Sequence, residues 1–139
     1  MFIGRRRELA ALKEELSSSR PALVLVYGRR RVGKSTLLYE AIRGRCHVCF
    51  QATRIADPDS QSLFKAEIAR TLGHDTVLDL LPNWESILTY LHRLACTRWP
   101  GLAVVLDEFP YLCEGHPALP SIVQKVWDLV RSSEGSLKL

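Results

Sequence analysis

The sequence predicts an α/β fold, a parallel sheet layered with helices, and three observations predict it. Short apolar stretches of strand length alternate with longer ones whose apolar residues follow helical spacing. One strand-like stretch, Ala22-Leu23-Val24-Leu25-Val26-Tyr27, runs into Gly28-Arg29-Arg30-Arg31-Val32-Gly33-Lys34-Ser35, which fits the phosphate-loop pattern G-x-x-x-x-G-K-[ST]. Another, Leu102-Ala103-Val104-Val105-Leu106, is unbroken and apolar, as strands buried on both faces of a parallel sheet are, and it ends in Asp107-Glu108.

Each element follows from a local signal. Phe2 to Ser17 reads as a short extended lead and a helix with Leu9, Leu12 and Leu16 on one face. Ser17-Ser18-Ser19-Arg20-Pro21 breaks it before the phosphate-loop strand. A helix should begin at Lys34, carry Leu37, Leu38, Ala41 and Ile42 inward, and stop at Gly44. Cys46 to Ala52 reads as a strand. Asp57-Pro58-Asp59-Ser60 is a turn able to cap a helix whose stripe is Phe64, Ile68 and Leu72 and whose end is Gly73. A polar, leucine-rich connector leads to Asn83, the expected cap of a helix with Trp84, Ile87, Leu88, Leu91, Leu94 and Ala95 in phase. Arg98-Trp99-Pro100-Gly101 ends it. After Asp107-Glu108 a loop with Gly115, Pro117 and Pro120 is expected. A last helix then runs to about Ser132, with Ile122, Val123, Val126, Trp127 and Val130 inward.

The residue types at the loop match phosphate chemistry. Gly28 and Gly33 allow backbone angles that turn successive N–H groups toward an anion, and the helix start adds its positive end. Arg29, Arg30, Arg31 and Val32 fill the variable positions. Lys34 is a point charge for β- and γ-phosphates, Ser35 the expected Mg²⁺ ligand, and Thr36 should lie nearer the α-phosphate. In open α/β sheets ligands bind beyond the carboxyl ends of strands, where Asp107 and Glu108 fall. Asp107 is therefore expected to hold Mg²⁺ opposite Ser35, and Glu108 to orient and deprotonate an attacking water.

Composition sets the bounds. The 139 residues have room for one domain with a core, and 47% apolar and 24% charged content is ordinary for a soluble globular protein. No apolar run approaches a membrane span and no secretory signal precedes the first charges, so a cytoplasmic protein without membrane contact is expected. Much of the +4 charge sits in Arg5-Arg6-Arg7 and Arg29-Arg30-Arg31, a weak signal for DNA. Cys46-His47-Val48-Cys49 has redox or half-zinc spacing, but on a strand the two cysteines face opposite sides; the four cysteines are expected to be buried and structural.

These motifs together resemble the archaeal-type ATPase family, a branch of the AAA+ and signal-transducing P-loop NTPases. The matching stretches are Phe2-Ile3-Gly4-Arg5 with Glu8-Leu9, Tyr27 to Ser35, Val105 to Leu112, Pro117 to Ser121 and Trp127-Asp128. The resemblance implies a three-layer, AAA+-like parallel sheet with helices on both faces, binding ATP with Mg²⁺ through Walker A and Walker B motifs. It implies that Gly4 and Arg5 lie against adenine and ribose, and that the domain comprises a leading segment and helix (1–20) and a P-loop core (21–139). Leu137-Lys138-Leu139 resembles the opening of the next core strand. The chain is thus expected to be the N-terminal part of an AAA+-type domain, incomplete at its C-terminus and lacking the sensor, arginine finger and lid. Arg98 and Arg131 read as surface residues.

Three functions remain open on the sequence. The complete form would hydrolyse ATP as a molecular switch. The chain alone could instead hold nucleotide without turnover, or belong to an ATP-dependent DNA-associated regulator. A homo-oligomer or protein partner is implied by the resemblance alone. A guanine-specific GTPase is disfavoured, because N-K-x-D is missing and Asn83 is the only asparagine.

Overall fold

The computed structural model describes residues 6–17, 39–44 and 46–132, with side chains in the first helix given for residues 9–14. Its elements are α1 (Arg6–Ser17), a helical stretch at 39–42, β1 (His47–Gln51), α2 (Asp57–Leu72), α3 (Thr76–Asp79), α4 (Trp84–Cys96), β2 (Ala103–Asp107), α5 (Phe109–Gly115) and α6 (Leu119–Ser132). β1 and β2 pair in parallel, with His47 opposite Ala103 and Gln51 opposite Asp107. Such a pair needs a long crossover connection, here supplied by α2, α3 and α4.

Strand alternation sends neighbouring side chains to opposite faces, and each face has its own core. Val48, Phe50, Leu102 and Val104 join Phe64, Ile68, Trp84, Leu91, Val126 and Val130 in the larger cluster. Ala103 and Val105 join Leu12, Ala41 and Ile42 in the smaller, with Cys49 packed against it. Helical residues therefore cover both faces of this two-stranded sheet, as the unbroken run Leu102–Leu106 predicts. Cys46 packs toward the larger cluster and Cys49 toward the smaller, the opposite-sided placement expected of a strand. All four cysteines are free thiols, but burial is only partial, and Cys96 is exposed. The expectation of four buried cysteines is corrected to that extent, because Cys96 lies in the last turn of α4 away from its apolar stripe.

α4 forms where the pattern places it. Asn83 Oδ1 accepts the Ser86 N–H at 2.9 Å, and Ser86 Oγ lies 3.2 Å from the Asn83 N–H, a reciprocal cap. Trp84, Ile87, Leu88, Leu91, Leu94 and Ala95 are all buried. Gly73 ends α2 at φ 100 and Gly44 ends the 39–42 turn at φ 81, angles that a side chain would strain.

Three expectations change. Asp57 does not cap α2. The helix begins at Asp57 with Ala56 before it and no side-chain cap, because the Asp57 carboxylate is committed elsewhere. It accepts the Trp84 indole N–H at 2.8 Å and the Gln61 amide at 2.7 Å, and pairs with His116 Nδ1 at 3.2 Å. The connector after Gly73 contains α3, capped by Asp75, whose carboxylate accepts the Val77 N–H. The loop expected after Glu108 is mostly helical: α5 starts at Phe109, and Pro110 suits a first turn where its missing N–H has no partner to lose. By the same logic α6 starts at Leu119, with Pro120 in its first turn.

Candidate functional site

Asp107 is the last residue of β2, so the strand itself carries its carboxylate to the carboxyl end of the sheet. The register fixes it further: Ala52 N–H donates to the Asp107 carbonyl at 2.9 Å, prolonging the ladder past Gln51. Its side chain lies under the surface, only 3% exposed. A buried carboxylate requires donors. The Glu108 N–H donates to Oδ1 at 3.0 Å, and the Tyr39 hydroxyl donates to Oδ2 at 3.3 Å.

Glu108 turns the chain from strand to helix. It sits in the left-handed region at φ 60 and ψ 40, and among the described residues it is the one non-glycine with positive φ. A side chain there is disfavoured, so the surrounding structure must impose the angle. The Tyr111 N–H bonds back to the Glu108 carbonyl at 3.0 Å and starts α5. α5 is held in turn by the segment after β1. The Arg54 guanidinium lies 5.0 Å from the Tyr111 ring centroid and pairs with Glu114 at 3.4 Å, while Asp57 takes His116 just beyond the helix. A left-handed residue followed at once by an anchored helix gives Glu108 one backbone course.

Tyr39 meets a residue of each strand on the smaller-core side. Its hydroxyl contacts Cys49 of β1 as well as Asp107 of β2. Burial first, then the neighbouring Cys49 and Asp107, push the phenol up to about 12. It is therefore a neutral hydroxyl donor at any physiological pH. Burial likewise pushes the Cys49 thiol up, against a hydrogen bond with Tyr39 that favours its ionised form. An inert, protonated thiol fits the structural role expected of Cys49. An open groove of about 790 Å³ runs past Tyr39, His47, Cys49, Gln51, Glu67 and Arg70 without including Asp107.

Of the residues read from the sequence as a site, Asp107 and Glu108 are described and stand adjacent at the strand end. Gly4, Arg5, Gly28, Arg29, Arg30, Arg31, Val32, Gly33, Lys34, Ser35 and Thr36 lie outside the described residues, as do Leu137-Lys138-Leu139. Arg98 and Arg131 are exposed, as expected. The buried Asp107 carboxylate is a hard oxygen donor, the class Mg²⁺ takes in ones or twos beside phosphate oxygens and water. Its chemistry fits that ion. Sequence reading missed Tyr39, although a signal was there: it follows Ser35 by four residues, a spacing that would put the two on one face if the helix expected from Lys34 forms.

Comparison with known proteins gives three findings. Residues 2–137 match the family described as an ATPase domain predominantly from Archaea. An uncharacterized protein of Methanocaldococcus jannaschii is 29% identical over 129 residues, covering 93% of this chain but 26% of its own length. An uncharacterized ATP-binding protein of the same organism is 36% identical over 45 residues, 32% of this chain and 76% of that protein. The chain thus spans about a quarter of the first relative. No solved structure matches it.

Proposed function

This chain belongs to the family of ATPase domains found predominantly in Archaea, and we propose that it binds ATP with Mg²⁺ through Gly28–Ser35 and Asp107, and that the complete protein hydrolyses it. The observation that carries the reading is Asp107, buried at the carboxyl end of a parallel strand with Glu108 next to it in a left-handed turn. A relative named as ATP-binding supports the nucleotide. The helices on both faces of β1 and β2 are compatible with a three-layer P-loop sheet, which we propose for the domain over residues 1–20 and 21–139.

The roles follow from the chemistry. Backbone N–H groups from Gly28 through Ser35 would cradle the phosphates, with Thr36 toward the α-phosphate. Lys34 would neutralise β- and γ-oxygens, and Gly4 and Arg5 would border adenine and ribose. Ser35 and Asp107 would hold Mg²⁺, which supplies charge to offset that of the transferring phosphoryl group. Glu108 would take the proton of the attacking water as its oxygen bonds to the γ-phosphorus and the bond to the β–γ bridging oxygen breaks, giving ADP and phosphate. DNA or protein partners rest on the arginine runs and the family likeness. DNA binding that weakens with salt and survives nucleotide removal would mark the DNA arm.

ATP affinity and phosphate release test the proposal. Lys34→Ala should lose most ATP affinity. Glu108→Gln should keep ATP affinity while phosphate release falls about 10²- to 10⁴-fold. Equal affinity for wild type and Lys34→Ala would end the nucleotide reading. ATP binding with no phosphate release by the wild type would leave a nucleotide holder that needs the rest of the protein for turnover.

A further inference from the structure

The Tyr39 hydroxyl bonds to a carboxylate oxygen on a strand 68 residues further along the chain. The other oxygen of the same carboxylate is held by the next peptide, through the Glu108 N–H at 3.0 Å. Asp107 is thus gripped from two directions, by its own turn and by the helical stretch at 39–42. Each carboxylate oxygen has room for more than one contact, so a carboxylate held by donors can still meet a cation or its water. The carboxyl torsion of aspartate is soft. Donors on both Oδ1 and Oδ2 restrain that torsion more than a donor on one oxygen does.

What Tyr39 has beyond a phenylalanine is its hydroxyl, which has two neighbours. Its residue surface is 40% exposed, so its ring is no central part of either core. The hydroxyl meets Asp107 and the thiol of Cys49. Tyr39 also follows Ser35 by four residues in the sequence, within the stretch that the sequence leads one to expect as a single helix from Lys34.

We propose that Tyr39 is a positioning residue for the magnesium site, its hydroxyl fixing the Asp107 carboxylate in the orientation that receives the nucleotide-bound cation. This rests on the assignment of Asp107 as a magnesium ligand. Partners behind a metal ligand typically set metal affinity by about 10-fold or more. The role is one of aim and not of contact with the reacting atoms.

The test measures ATP affinity of the full chain by calorimetry, once in EDTA and once across a Mg²⁺ titration, for wild type, Tyr39→Phe, Asp107→Asn and Cys49→Ser. Thermal midpoints in EDTA accompany each variant. Tyr39→Phe should bind ATP like wild type in EDTA, with an unchanged midpoint, yet require about 10-fold more Mg²⁺ for the same gain in affinity. Cys49→Ser should keep the wild-type Mg²⁺ dependence, since it alters the hydroxyl's other neighbour and leaves the carboxylate alone. A Mg²⁺ gain that Asp107→Asn removes and Tyr39→Phe leaves equal or stronger overturns the role of Tyr39 only. No Mg²⁺ gain in the wild type, or one untouched by Asp107→Asn, overturns the magnesium assignment and the role of Tyr39 together. Should Tyr39→Phe lower the EDTA midpoint, Tyr39→Leu at a temperature below both midpoints must show the same selective loss, or the proposal fails.

Discussion

Glu108 holds a backbone angle that its own side chain opposes. Left-handed φ brings Cβ toward the following carbonyl, which costs roughly 1–2 kcal/mol, while glycine escapes that clash at an entropic cost of about 0.5–1 kcal/mol. Glu108→Gly should therefore raise unfolding stability by roughly 0.5–1 kcal/mol in urea melts, even as it removes the proposed base. Lower stability of that variant would show that no strain is held at the turn. The same angle explains why Asp107 and Glu108, adjacent in sequence, can serve different ends: the first lies buried at the end of β2 beside Tyr39, the second starts the turn into α5.

Helix α4 shows how far local signals alone carry an element. Its apolar stripe, its Asn83 cap and its stop ahead of Arg98-Trp99-Pro100-Gly101 were legible in neighbouring residues, and the structure adds Ser86 as the reciprocal partner and Thr97 as the end. Removing the cap by Asn83→Ala should cost about 1 kcal/mol, measured as a lower denaturation midpoint with an unchanged slope. A loss below a few tenths would mean that packing of Trp84 and Leu91 holds the first turn without help. α5 is the opposite case. Phe109-Pro110 and Gly115 signal a turn as readily as a short helix, and its seven residues are too few for helical periodicity to show. Its position is settled by Leu112 in the larger core and by the grip of Arg54 and Asp57 from another segment.

Across the whole molecule, Asp57 ties α2, α4 and the turn before α6 together through Gln61, Trp84 and His116. Burial raises the Asp57 pKa, but the hydrogen bonds from Trp84, Gln61 and His116 outweigh it and hold the carboxyl below its usual range. The sign follows: a depressed carboxyl stabilises the fold above its unfolded pKa, and that stability is lost as pH falls through the folded value. Wild type should therefore lose an advantage over Asp57→Asn as solutions grow more acid than about pH 4, with the two stability curves converging at the lowest pH. Near pH 7 the difference should be about 1–2 kcal/mol, since asparagine can still accept the indole N–H but without its charge. Parallel curves down to acid would show that Asp57 acts by shape alone. The aromatic series Phe50, Phe64 and Trp84, with centroids 5.3 and 5.6 Å apart, runs beside this tie and links β1 to α4 across α2.

The sequence by itself determined the alternation of strands and helices, the double-sided burial of Leu102–Leu106, the cap and stripe of α4 and the acidic end of β2. Those properties depend on residues close together, whose spacing and backbone preferences act before any distant contact forms. Only the tertiary structure decided that β1 lies beside β2 with Gln51 opposite Asp107, that Asp57 serves Trp84 instead of its own helix, and that Tyr39 reaches the Asp107 carboxylate. Each joins groups far apart along the chain. Pairing of that kind is selected by which buried donors and acceptors meet once the apolar faces close, and no local pattern encodes it.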